Sequence, residues 1–127
     1  MLVNISRLLG VAFVVVGVVG FVPPLTPNGN LLGLFPVNAA HNLVHIALGV
    51  WGLVVGGTFS GALFYLRGLT VIYGLLAILG LFPATNTLFG LAPIHGADVA
   101  LHAVLALIAA YFGFGPPSKA GVQVPGR

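Results

Sequence analysis

Two phrases in this chain set metal-ligating and hydrogen-bonding side chains at helical spacing. "FPVNAAHNLVH", residues 35–45, carries Asn38, His41 and His45, and "APIHGADVALH", residues 92–102, carries His95, Asp98 and His102. Residues three or four apart lie on one face of a helix. His41 and His45 therefore share one face, and Asp98 and His102 share another. Imidazole suits Zn, Cu, Fe and Ni, and a carboxylate can complete the ligand set. If the two faces meet, His41, His45, Asp98 and His102 supply up to four ligands. Asn38 and His95 fall about one turn further out, at the rim. Asp98 serves either as a ligand or as the group that orients a ligating histidine. A tetrapyrrole is a second option, with His45 and His102 as axial haem ligands or one histidine on the magnesium of chlorophyll. The rival reading is an interhelical hydrogen-bond lock. Such links measure only about 0.6 kcal/mol on average in one membrane protein, whereas an Asp at the centre of a span costs roughly 2.5–3.5 kcal/mol.

The familiar catalytic templates fail. Ser6, Ser60 and Ser118 lie at the opposite ends of the apolar runs from the histidines, so no Ser-His-Asp arrangement forms. There is no His-Glu-x-x-His run and no pair of carboxylates, and "GNLLGLFP" lacks the Gly-Lys-Ser/Thr ending of a phosphate loop. Cysteine is absent, which removes disulfides, iron–sulfur clusters and thiolate nucleophiles. No catalytic residue is assigned.

The elements that must position these residues are apolar. Only Arg7, Arg67, Lys119, Arg127 and Asp98 carry full charge among 127 residues, and 59% of the chain is hydrophobic. A soluble domain needs a charged surface that this composition cannot make, so the bilayer is the expected solvent. Four scattered cations make no phosphate-binding patch, which excludes nucleic acid as a partner. Four runs suit spanning helices, at about Ile5–Val22, Asn38–Gly57, Leu66–Phe82 and Gly96–Phe114. Helices satisfy their own backbone in lipid, and a closed barrel would need alternating polarity. The first run is expected to be a retained span rather than a cleaved signal, because no convincing cleavage site follows it. The basic residues sit at the termini and, as Arg67, beside the central 58–66 loop, none in the loops 23–37 and 83–95. Both termini are accordingly expected on the cytoplasmic side of the membrane. "LLGLFP" (31–36) and "LFGLAP" (88–93) are too short to span and are expected to fold over the outer mouth of the bundle. Residues 116–127 read as a mobile polar tail. Trp51 is expected to face lipid or a neighbouring subunit, and Tyr65 and Tyr111 to lie in aromatic belts.

The two halves align. "RLLGVAFVVVGVVGFVP" (7–23) matches "RGLTVIYGLLAILGLFP" (67–83) at an offset of 60, pairing Arg7 with Arg67, Phe13 with Tyr73 and Gly20 with Gly80. Beyond a first loop three residues longer, the offset is 57, pairing Gly33 with Gly90, Asn38 with His95, His41 with Asp98, and His45 with His102. The expected fold is all-α: a bundle of four transmembrane helices over residues 1–115, built from two tandem hairpins (about 5–57 and 66–114). Two spans per unit give a parallel repeat, with a pseudo-two-fold axis along the membrane normal. Below the polar positions each stripe turns small: Gly49, Gly52 and Gly56 on the second helix, Ala106, Ala109 and Gly113 on the fourth. Small residues let helix backbones approach closely in lipid. The second and fourth helices are expected to face each other across the axis.

"GLFPVNAAHNLVHIALGVWGL" and "LFGLAPIHGADVALHAVLAL", with "YLRG" before the third helix, resemble the two signatures of a bacterial membrane family known as domain of unknown function 4383. The resemblance covers nearly the whole chain to Gly115 and implies a four-span protein without an assigned activity. His95 departs from the Asn that its repeat mate Asn38 suggests. The expected function is an integral membrane protein whose His/Asp cluster binds a transition metal (Zn, Cu or Fe) or a haem or chlorophyll. The alternative is an accessory subunit of a larger membrane complex, or a homo-oligomer, with the cluster as a lock.

Overall fold

The architecture was taken from a computed structural model, which describes residues 1–120. It is all-helical apart from one two-stranded turn. The main helices are α1 (Leu2–Val19), α2 (Ala39–Val55), α3 (Phe59–Leu79) and α4 (Ala97–Phe114), followed by a short α5 (Pro116–Ala120). Three of them, α1, α3 and α4, are long and apolar enough to cross a membrane; α2 is apolar but has 17 residues.

The helix boundaries follow from local chemistry. α1 and α3 end alike: the Gly20 and Gly80 amides bond back to Val16 and Leu76, and the next two amides make i→i+3 bonds before Pro23 and Pro83. Proline has no amide hydrogen and disfavours helical backbone in the residue before it, so the helix stops there. α2 starts at Asn38, whose side-chain oxygen accepts from the His41 amide at 2.8 Å. α4 starts after Gly96, held at φ 68°, where glycine is the favoured residue.

The third helix departs from expectation. The 58–66 segment is not a loop: the α2–α3 turn is only Gly56–Thr58, and α3 begins at Phe59. Thr58 caps it, accepting from the Gly61 amide at 3.1 Å. Gly61, which looks like a breaker in sequence, lies against the Val55 carbonyl so closely that no side chain fits there. The extra turns move Tyr65 from the expected aromatic belt into the core, fully buried, with its hydroxyl donating to the Leu48 carbonyl at 2.9 Å. Trp51 is held between α2 and α3, edge-on to Phe64 and Tyr65 and over Gly68. Tyr111 is exposed.

α1 packs antiparallel to α2, and α3 to α4. Down the first pair, Gly20 abuts Asn42, Gly17 abuts Ile46, Gly10 abuts Gly49, and Ser6 abuts Gly56. Down the second, Gly80 abuts Val99, and Gly113 lies against Arg67, whose Nε donates to the Gly113 carbonyl at 2.6 Å. The pairs join chiefly through α1 against α3 and α2 against α3. Phe13, Tyr65, Leu69, Tyr73 and Ala109 form the core at that junction.

The small stripes therefore do not meet face to face. Gly49 and Gly56 pack on α1, Gly52 receives the Tyr65 ring, and Ala109 and Gly113 lie against α3 and the core, with Ala106 half-buried beside them. The short diagonal of the bundle belongs to α1 and α3, and α2 and α4 approach through long side chains at their N-terminal ends.

The connections 31–36 and 88–93 share a left-handed turn, but only the first pairs as strands. In the first, Asn30–Leu31 pairs antiparallel with Phe35–Pro36 around a turn in which Leu32 and Gly33 have φ of 53° and 76°. In the second, Phe89 and Gly90 have φ of 59° and 86°. Non-glycine residues seldom adopt this left-handed region. Pro116–Ala120, expected within the tail, is helical and buries Ser118; residues 121–127 lie outside the described part of the chain.

Candidate metal centre

His41 and His45 project from the first two turns of α2, Asp98 and His102 from the first two turns of α4. All four are buried, each no more than 5% exposed. His41, His45 and His102 can each present one ring nitrogen so that the three lie within 4.8 Å of one another. Asp98 stands beside them, its Oδ2 3.7 Å from His41 Nδ1. The expected convergence of the two phrases is present, although the helices that carry them are not packed backbone to backbone.

The rim residues behave differently. Asn38 is exposed and spent on structure: besides capping α2, its amide nitrogen donates to the Leu91 carbonyl at 3.0 Å, tying the first connection to the second. His95 is half-buried and not part of the histidine triad.

The polar atoms of the cluster are short of partners. Among the described residues, eight buried side-chain nitrogen or oxygen atoms make no hydrogen bond, and six of them are here: His41 Nδ1, His45 Nδ1, both ring nitrogens of His102, Asp98 Oδ2 and the Tyr73 hydroxyl. The other two are Ser6 Oγ, against Gly56, and Asn42 Oδ1. An unsatisfied buried donor or acceptor costs about 1–3 kcal/mol. His41 and Asp98 are too far apart for a hydrogen bond, so the interhelical lock is not formed by this pair.

Two aromatic residues complete the site. Phe13 stacks on His45 with ring centroids 6.1 Å apart and planes at 13°, and Tyr73 lies against His102 at 5.2 Å. Phe13 and Tyr73 also touch each other, at 5.5 Å. Neither was singled out as a site residue from sequence, although the alignment of the halves pairs them and that signal was present. Their rings form an apolar wall on the core side of the histidines.

A cavity of about 40 Å³ opens among His41, His45, His102 and Tyr73. A water occupies roughly 10–15 Å³ on this measure, so the space holds a few water-sized groups, and its walls are almost wholly apolar, with Val44, Leu48, Leu76, Ala92 and Ile94 beside the rings. Drug-sized ligands take about 300–1,000 Å³, so no tetrapyrrole ring fits between these helices as they stand.

Residues 4–115 match the family described as "Domain of unknown function (DUF4383)". The chain belongs to this family. No curated protein and no solved structure matches it.

Proposed function

We propose that this DUF4383 protein is an integral membrane protein that binds a divalent transition-metal ion, Zn, Cu or Fe, through His41, His45 and His102. Asp98 is the fourth ligand or the group that orients His41. One observation carries the reading: three buried imidazoles converge within 4.8 Å while four of their six ring nitrogens are buried without a hydrogen-bond partner. A ligand set of this kind is costly when empty and satisfied when filled. Three histidines with an open position match the pattern of catalytic rather than structural zinc sites. The lock reading draws no support from a pair at 3.7 Å.

We place all four main helices across the bilayer, as two tandem hairpins. α2 reaches the lower end of the spanning range, ~17 residues. The repeat is supported by matched detail: the identical endings of α1 and α3, the paired left-handed turns at Leu32-Gly33 and Phe89-Gly90, and contacts between repeat mates, His41 with Asp98 and Phe13 with Tyr73. Arg7 and Arg67 lie near Gly57 and Gly113, at the end of the bundle away from the histidines, which supports cytoplasmic termini and a metal centre in the outer half.

The test is elemental analysis of protein purified from membranes without added metal, with the electronic spectrum after Co²⁺ substitution. One equivalent of metal and an intense tetrahedral cobalt spectrum, both lost in His102→Leu, are expected. A metal-free protein that takes up no cobalt overturns the proposal, and a Soret band would point to haem instead.

A further inference from the structure

A second cavity, about 150 Å³, lies on the other side of His45, in the cleft between α1 and α4. Leu9, Ala12, Phe13 and Val16 line it from α1, Leu101 and Leu105 from α4. His45 is its one polar residue. Phe13 and His45 are buried at the inner end, Ala12 is exposed, and the other lining residues are half-exposed, so the cleft opens on the side of the bundle. In the proposed orientation that side faces hydrocarbon.

This cavity and the one at the triad are counterparts. Val44, Leu48, Tyr73, Leu76 and His102 around the smaller cavity are the repeat mates of Leu101, Leu105, Phe13, Val16 and His45 around the larger. They differ in what covers them. The second connection lowers Ala92 and Ile94, 5% and 2% exposed, over the α2–α3 cleft, and those residues line its cavity together with Leu88. No residue of either connection lines the α1–α4 cavity. The second connection covers part of one cleft and none of its twin.

We propose that the α1–α4 cleft binds a small uncharged molecule dissolved in the bilayer, about one aromatic ring in size and carrying a single hydrogen-bonding group that engages His45. Size and polarity set this class. An apolar cavity of about 150 Å³ stays dry and accepts benzene. A charged ligand would find no counter-charge on the walls. His45, the one polar residue of the lining, is the partner for one polar atom of the ligand. Phe13, stacked on that imidazole, presents its ring to the same space. The cleft places such a molecule on the opposite side of His45 from the smaller cavity, as a substrate or effector of the metal centre proposed above. The binding itself needs no metal.

The experiment uses chelator-treated, metal-free protein in nanodiscs, with 4-fluorophenol and fluorobenzene as probes followed by ¹⁹F NMR against empty nanodiscs. Metal-free conditions separate this proposal from the metal reading, so either can fail alone. Saturable binding of 4-fluorophenol is expected, about ten-fold tighter than fluorobenzene, which corresponds to one hydrogen bond of roughly 1.4 kcal/mol. Ala12→Trp, at an exposed position on the rim, is expected to abolish binding while leaving the melting temperature unchanged; Ala84→Trp, on the exposed part of the second connection, is the control expected to leave binding intact. Partitioning no different from empty nanodiscs, as when a lipid chain fills the cleft, overturns the proposal. So does equal affinity for the two probes, or binding that survives Ala12→Trp.

Discussion

His41 Nδ1 and Asp98 Oδ2 face each other at 3.7 Å, at equivalent positions of the two halves of the chain. Each sits in the first turn of its helix, and each is buried. The carbonyls of Pro36 and Pro93, also equivalent positions, approach the His41 ring from the two connections. Asp98 occupies the first turn of α4, where unpaired backbone amides and the positive end of the helix dipole favour an anion. A carboxyl group held there, beside the His41 ring, is placed to ligate a metal with the histidines or to orient His41 toward it.

Asp98→Asn keeps the shape and removes the acidic oxygen. In the proposed site it is expected to weaken metal binding about 10–100-fold, the usual effect of losing a partner that orients a ligating histidine. Competition with a chromophoric chelator measures this. Unchanged affinity would remove Asp98 from the metal site.

Metal binding is also expected to appear as stability. A ligand that binds only the folded state at about 100 times its dissociation constant adds ~2.7 kcal/mol. Adding chelator to the protein as purified should lower its melting temperature, and zinc should restore it. His102→Leu should be insensitive to both. This variant also removes two unpartnered buried nitrogens, so its metal-free form is expected to be at least as stable as the metal-free parent.

Part of this architecture is legible in the sequence, for identifiable reasons. The apolar runs, Pro23, Pro83 and the capping Asn38 mark helices and their ends through local chemistry, and the spacing of His41, His45, Asp98 and His102 announces a shared site. What local rules miss is set by neighbours. Gly61 reads as a breaker, yet its glycine is required by the Val55 carbonyl beside it within the helical turn. Tyr65 reads as an interfacial aromatic, yet Gly52 opens a seat for its ring on α2. The glycine stripe of α2 looks like a surface for α4, but its partners are Gly10 and Ser6 on α1 and Tyr65 on α3. A stripe states that something approaches closely; it does not say what.

The Gly10–Gly49 contact is the tightest approach of α1 to α2 by residue size. A methyl group on Gly49 would meet the Val14 amide nitrogen at 2.7 Å, and the Gly10 carbonyl as well. These are backbone atoms of the neighbouring helix and cannot swing aside. Gly49→Ala is expected to destabilise the fold by about 1–3 kcal/mol, the usual cost of overpacking. Gly74→Ala, which meets nothing within 4 Å, should be neutral or slightly stabilising. Unfolding in mixed detergent micelles compares the two, and equal effects would refute the packing assignment.

The topology is tested with single cysteines, since the chain has none of its own. Gly57 sits in the α2–α3 turn, where an added side chain meets only the tip of Arg7 at 4.0 Å, and Ala84 is exposed on the second connection. Gly57→Cys is expected to resist a membrane-impermeant maleimide in intact cells and to react once the membrane is opened. Ala84→Cys should react in both cases. The reverse pattern would put the metal centre in the inner half of the bilayer and the arginines outside, against the usual bias of basic residues. Labelling of both sites from one side would mean that the chain between them, α3, does not cross.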